Sequence, residues 1–331
     1  MKKVVTFGEV MIRLSTPAFG KFEQAENFKV IYAGAEANVA ASLAYFGIGT
    51  YHVTRLPSHR LGRAAAQTLR KNWVSDEYIQ YGEGRLGTFY LETGAVSRAS
   101  QIIYDRFHSA FWDIKPGDFD WKKILDGADW FHWSGITPAL SQGAADACME
   151  AITTANRMGV KVSGDIFYRG NLWHYGKTPQ EILPALTQGC DLVLANAQNF
   201  ADIYEVNGSD FEDACRNMKK QYPRVQYFTD TMREQVSASH NRISAKIFDG
   251  ENTFTSPTHD ITHIVDRIGG GDAYMAGLLY GLMHYENLSD AVSFAAAATA
   301  LKHTIEGDFN LCTVAEVEAL MQGDSSGRLR R

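Results

Sequence analysis

The sequence predicts an α/β protein: a largely parallel central sheet flanked by helices, with a small β-sheet projecting over one edge. Three observations carry that expectation. Short apolar runs rich in Val, Ile, Phe and Tyr alternate with longer helical patterns over most of the 331 residues, which is the ordering of a parallel sheet with crossover helices. Near the C-terminus an apolar run meets Gly269-Gly270-Gly271-Asp272 and then a helical pattern. Two stretches, 11–33 and 86–113, break the alternation, and within the second, residues 88–93 and 101–108 alternate like antiparallel strands.

Taken in chain order, strands are expected at residues 4–8, 51–55, 130–133, 160–165, 192–195 and 225–229. A helix over 37–46 is closed by Gly47, and another over Gln142–Met158 by Gly159, glycine being the residue that most easily takes the left-handed turn after a helix. Residues 263–268 read as a strand leading into the glycine turn, and 273–284 as a helix apolar at Tyr274, Leu278, Leu279 and Leu282. These elements divide the chain into a large α/β unit (1–10, 34–85 and 114–321) and a lid (11–33 and 86–113). A Gly/Ser/Arg-rich tail, 322–331, is expected to be disordered.

Composition narrows the function classes. A formal net charge of −6, from 32 Lys+Arg against 38 Asp+Glu, argues against a nucleic-acid partner. The apolar content of 45% suits an ordinary globular core. No long apolar run suggests a membrane partner, and residues 1–14 read as a first strand rather than a secretory signal, because Glu9 and Arg13 interrupt the apolar run. Cys148, Cys190, Cys215 and Cys312 lie far apart without a C-x-x-C pair, which suits reduced thiols and a cytoplasmic location.

The glycine turn is the strongest chemical signal. Converging backbone N–H groups at a helix N-terminus favour an anion such as phosphate. Asp272 is then out of place unless it works, and accepting a proton from an attacking hydroxyl is a plausible task; a plain helix cap is the alternative. Gly82-Glu-Gly84-Arg-Leu-Gly87 matches a dinucleotide fingerprint by spacing, but a strand rather than a helix follows it. Gly176-Lys177-Thr178 lacks the first glycine of a P-loop, and His259 and His263 are too far apart along a strand to share a metal. No metal site is expected from protein side chains. Period two puts Tyr104, Arg106 and His108 on one lid face, and Arg169 follows the strand end at Asp165, so two guanidiniums could converge on an anionic substrate.

These motifs together resemble the ribokinase-like, phosphofructokinase-B type sugar kinases. Asp266-Arg-Ile-Gly269-Gly270-Gly271-Asp272 is similar to their C-terminal signature, and Gly34-Ala-Glu-Ala-Asn38-Val-Ala to their N-terminal one. Within that family the chain looks most like the 2-keto-3-deoxygluconate kinases, through Tyr90, Tyr104-Asp-Arg106, Tyr168-Arg169, Arg233-Glu-x-x-Ser-Ala-Ser-His240 and Ala300-Leu-Lys-His303 leading to Gly307-Asp308. The resemblance implies a ribokinase-like three-layer α/β/α sandwich and transfer of the ATP γ-phosphoryl group to the C6 hydroxyl of 2-keto-3-deoxygluconate. Asp272 would be the general base, with Gly269, Gly270 and Gly271 stabilising the transferring group. Gly34, Asn38, Tyr90, Tyr104, Arg106, Arg169 and Asp308 would hold the sugar acid, the arginines facing its carboxylate. Asn196, Thr229, Thr231, Arg233, Gly269 and Gly271 would border the nucleotide, and the small residues 295–298 would leave room for adenine. Mg²⁺ would be held mainly by phosphates and water, since the segment Asn196-Ala-Gln-Asn199 carries no carboxylate where the family usually has one. A homo-oligomer through the lid is the expected assembly. Two other readings stay open: a kinase of a neutral sugar such as fructose or ribose, and a non-catalytic sensor of the same fold.

Overall fold

The computed structural model describes residues 2–167 and 170–323. The chain opens with β1 (Lys3–Phe7), then β2 (Met11–Ser15) and β3 (Lys29–Ala33) before the first helix, α1 (Ala35–Tyr45). It continues through β4 (Gly49–Pro57), α2 (Arg60–Lys71), β5 (Ile79–Gly82), β6 (Gly87–Glu92) and β7 (Gln101–Asp105). The middle third holds α3 (Trp121–Leu125), β8 (Trp130–Ser134), α4 (Ile136–Leu140), α5 (Gln142–Met158), β9 (Lys161–Asp165), α6 (Pro179–Thr187), β10 (Leu192–Leu194) and α7 (Ala197–Tyr204). After α8 (Phe211–Gln221) come β11 (Tyr227–Ser237), β12 (His240–Phe248), β13 (Thr253–Thr255), β14 (His259–Ile261), α9 (Gly270–His284), α10 (Leu288–Lys302) and α11 (Val314–Met321).

Among the described residues these strands form two sheets. The large one has ten strands in the order β13-β12-β11-β10-β9-β8-β1-β4-β5, with β14 paired to β12. From β11 to β5 every neighbour is parallel, and β12 turns the sheet antiparallel at one end. Burial on both faces explains the apolar runs that predict it. Val5, Phe131 and Val193 enter one core with α3 to α8, whereas their neighbours Val4, Trp130 and Leu192 enter another with α1, α9, α10 and α11. The result is three layers with a core on each side of the sheet.

The small sheet has the order β3-β2-β6-β7, so each of the two stretches that break the alternation supplies two strands. The strands β2 and β6 pair in parallel and join the stretches, while β3 and β7 are antiparallel edges.

Residues 263–268 are not a strand, contrary to the sequence reading. Ile264 N–H donates to Ser239 O, and Val265 and Asp266 N–H to His303 O, so the segment leans on the end of α10 instead of a sheet neighbour. The tail beyond residue 323 lies outside the described residues. No helix among the described residues is long and apolar enough to cross a membrane.

Candidate active site

The parallel strands end on a cleft of about 690 Å³ that the small sheet overhangs. This is where a parallel α/β sheet leaves loops free to carry side chains, at the carboxyl ends of its strands. Asp165 and Leu194 line the cleft from the ends of β9 and β10, Gly34, Ala35 and Asn38 from the start of α1, and Gly269 to Asp272 from the start of α9. Met11, Phe89, Ile102 and Tyr104 line it from the small sheet.

The turn into α9 requires glycine. Gly269 has φ +82°, and a Cβ there would lie 1.9 Å from Asp308 O. A Cβ on Gly270 would meet the His303 ring at 2.7 Å, whereas one on Gly271 meets no protein atom and would project into the cleft. The fifteen-residue helix α9 has Gly269 as its N-cap without a side-chain bond; Gly270 N–H donates to Arg267 O at 3.4 Å, and the N–H groups that follow it, with the positive dipole end, face the cleft. Asp272 stands in the first turn and is not the cap, which removes the structural alternative raised by the sequence.

Asn38 Nδ2 donates to Asp272 Oδ2 at 2.6 Å, and Asn38 Oδ1 accepts from Gly34 N–H at 3.4 Å, so one amide ties the two glycine-bearing helix starts together. Gly34 fits because a Cβ would lie 2.0 Å from Glu9 O. Burial, with the charges of Asp165, Glu36 and Asp308, pushes the Asp272 carboxyl up to about 8, against the bond from Asn38. Beneath it Glu36 is fully buried, its Oε1 accepting from Ser134 Oγ (2.6 Å) and Thr137 Oγ1 (3.2 Å), and burial pushes it to about 7.

The small sheet sorts its residues by row. Ile31, Arg13, Phe89 and Tyr104 lie opposite one another, as do Val30, Leu14, Tyr90 and Ile103 on the other face. Phe89 and Tyr104, rings 5.8 Å apart, face the cleft, and Tyr90 points away, its ring 5.9 Å from Phe28. Tyr90 therefore does not reach the cleft, and its neighbour Phe89 does. His108 does not share the face of Tyr104 either: the strand ends at Asp105, His108 has φ +55°, and its ring packs on Trp112.

Arg106 lines the cleft but is not a free cation. Its Nε and Nη2 donate to Glu9 Oε2 at 2.9 and 2.7 Å, while Ser109 Oγ donates to Glu9 Oε1 at 2.5 Å. These bonds leave Nη1 unengaged among the described residues. Asp308 also lines the cleft, with its Oδ1 bound to Arg13 Nη1 at 2.6 Å; Arg13 Nη2 reaches Asp266 at the same distance. Arg169 lies outside the described residues.

Thr231 and Arg233 line the cleft together with Arg267, Ile243, Thr299 and His303. Thr229 does not, being buried and bonded to Tyr274 Oη and Lys246 O. Asn196 is the N-cap of α7, its Oδ1 accepting from Asn199 N–H at 2.8 Å while Asn199 Oδ1 accepts from Asn196 N–H at 3.5 Å, so both amide oxygens serve the helix start and neither residue lines the cleft. The alanines Ala295 to Ala298 are wholly buried, and a Cβ on Gly277 would lie 2.8 Å from Ala295 Cα: small residues there let α9 and α10 touch rather than leave room for a base. No group of three or more His, Cys, Asp or Glu that could hold a metal ion occurs among the described residues.

Arg13, Glu9, Glu36 and Phe89 are among the site residues that sequence reasoning missed, and Arg267 and His303 it met only inside motifs, without a role. Only Phe89 had a local signal, the strand alternation that sets it opposite Tyr90.

Comparison with known proteins adds a family. The profile of the pfkB family carbohydrate kinases matches residues 1–311. A 2-dehydro-3-deoxygalactonokinase from Haloferax volcanii is 30% identical over 326 residues, 98% of each chain. A crystal structure of 2-dehydro-3-deoxygluconokinase from Thermotoga maritima superposes with a TM-score of 0.93 at 40% identity, covering 98% of this chain and 100% of that one. A pfkB family carbohydrate kinase from Listeria grayi gives 0.92 at 34% identity, covering 97% and 100%.

Proposed function

Because the chain belongs to the pfkB family of carbohydrate kinases, we propose that it phosphorylates the C6 hydroxyl of a 2-keto-3-deoxy sugar acid, with 2-keto-3-deoxygluconate as the substrate and ATP as the donor. One observation carries the reading: Asp272, with its raised proton affinity, stands one residue inside the glycine turn that begins α9, in a cleft also lined by guanidiniums.

In this reading the γ-phosphoryl oxygens lie against the N–H groups of Gly269 to Gly271, where the helix dipole offsets the charge that spreads over them during transfer. The C6 oxygen attacks phosphorus, its proton passes to Asp272, the bond to the β-phosphate oxygen breaks, and ADP leaves. Asn38 holds the carboxylate oxygen that faces it, so the base keeps its aim. Mg²⁺ on the phosphates would neutralise charge there. Arg233, Thr231 and His303 would border the nucleotide. Arg106 Nη1, Tyr104 and Arg169 would hold the sugar acid, with Phe89 and Met11 against its carbon chain.

Arg106 Nη1, the guanidinium nitrogen that Glu9 leaves to the cleft, favours an acid over a neutral sugar, because a carboxylate gives it a charged acceptor. Similarity to a galactonate-type kinase makes the C4 epimer the second candidate. The test is coupled ADP release with 2-keto-3-deoxygluconate, its C4 epimer, fructose and ribose. Higher kcat/KM on either neutral sugar would remove the sugar-acid reading. No ADP with any acceptor, despite tight binding of the acid, would favour a sensor. The outer face of the small sheet, with Val30 and Ile103 more than half exposed, supports pairing of two copies there, which light scattering of the parent and Ile103→Glu would test.

A further inference from the structure

Lys302 ends α10 with its side chain wholly buried. Charge taken out of water must be compensated by bonds and counter-charge, so a lysine in such a place calls for a reason. Its Nζ donates to Asp266 O at 3.2 Å and to Ile305 O at 3.1 Å. Neither acceptor is a carboxylate, although Asp266 and Asp308 are close enough to act on its charge. Those two carboxylates are taken by Arg13.

The two carbonyls belong to segments that frame the anion turn. Asp266 begins the turn into Gly269, and its carboxylate accepts from Ile268 N–H at 3.0 Å. Ile305 begins the loop to Asp308, whose carbonyl lies where a Gly269 Cβ would be; Gly307 N–H donates to Asp266 Oδ2 at 3.0 Å and joins the two. A compact positive charge on two converging carbonyls is what a small monovalent cation would provide, here attached to the chain. Lys suits this as a point charge on a flexible stem, and Arg, with its planar fork, does not.

We propose that Lys302 is a positioning residue whose ammonium acts as a tethered monovalent cation behind the glycine turn, holding Gly269 to Gly271 in their anion-binding arrangement. It touches neither substrate nor nucleotide. Its charge is felt at Asp272, where it favours the ionised base. Transfer by this enzyme therefore requires no free monovalent cation at that place.

The inference rests on the phosphoryl-transfer reading, and a readout without acceptor separates the two: calorimetric affinity for a non-hydrolysable ATP analogue. Parent kcat should stay within about twofold when tetramethylammonium replaces potassium, sodium or ammonium as the only monovalent cation. Lys302→Ala should lower both kcat and analogue affinity at least about tenfold. Methylammonium or potassium near 100 mM should restore about fivefold or more of each loss, and tetramethylammonium, too large for the space, none. Lys302→Met, which keeps the bulk without the charge, should fold if the Ala variant does not, and should move the acid limb of kcat/KM to higher pH. Strong activation of the parent by potassium overturns the proposal. So does a Met variant with parental rate and pH profile, or an Ala variant that folds and is not rescued. If the parent releases no ADP with the sugar acid, the substrate assignment fails, while analogue affinity and its rescue still decide the role of Lys302.

Discussion

Replacing Asp272 by asparagine tests the base directly, because the amide keeps the size of the side chain and can still accept from Asn38 Nδ2, which donates at 2.6 Å in the parent. In the parent, burial pushes the carboxyl up to about 8, so the ionised base is the minor form at pH 7 and grows as pH rises. The kcat/KM profile, which reports the free enzyme, should rise about tenfold per pH unit on its acid limb and level off about one unit above the pKa. In Asp272→Asn the limb should vanish, and the rate should fall on the order of 10²–10⁴-fold at the plateau. Analogue affinity should change by no more than about twofold, since the glycine amides are untouched. The assay is coupled ADP release from pH 5.5 to 9.5 beside calorimetry of the ATP analogue. A variant within about threefold of the parent, or a parent profile flat from pH 6 to 9, would refute the base assignment.

Gly271→Ala should leave the melting temperature within about 2 °C and cut kcat/KM by about tenfold or more, because its methyl enters only the cleft; Gly269→Ala should instead lower thermal stability, since its methyl meets Asp308 O. Phe89→Ala should raise KM for the sugar acid and Tyr90→Ala should not, as only Phe89 faces the cleft; equal effects in steady-state kinetics would show that the row assignment is wrong. Burial holds His52 and His132 near 3 and neutral. The unfolded chain binds the extra protons between about pH 3 and 6.5, so their contribution to stability is lost as pH falls through that window. Glu36 and Asp272, raised to about 7 and about 8, act in the opposite sense: the folded state holds their protons, and stability falls as pH rises towards those values. Thermal melts should therefore peak between about pH 5 and 6, where the two losses cross, and a maximum below about pH 4 would contradict the burial of the histidines.

The parallel strands were legible because both faces are buried, leaving continuous apolar runs such as Leu192 to Ala195. Gly47 and Gly159 marked helix ends because they take φ +82° and +73°, which other residues avoid. The glycine turn and Asp272 were equally local signals. What the sequence concealed depends on distant partners. Arg106 looked like a free cation because Glu9, 97 residues earlier, is not visible as its partner. Arg13 has its counter-charges 253 and 295 residues away. Residues 263–268 have a strand-like composition, but their backbone bonds go to Ser239 O and to His303 O at the end of α10, an outcome no local pattern encodes.

The Arg13 pairs also bear on how a substrate gets in. Arg13 sits on β2, an inner strand of the small sheet, and joins it to Asp266 and Asp308 on the opposite wall. Breaking buried pairs of this kind costs on the order of 3–5 kcal/mol, which is steep for a motion repeated at every turnover. The small sheet is thus riveted along one line and cannot swing as a plate. Its outer strand, β7, has all five residues exposed and Tyr104 overhanging the cleft, but Arg106 just beyond it is held to Glu9 in a second buried pair, so the small sheet is anchored at both an inner strand and its outer border.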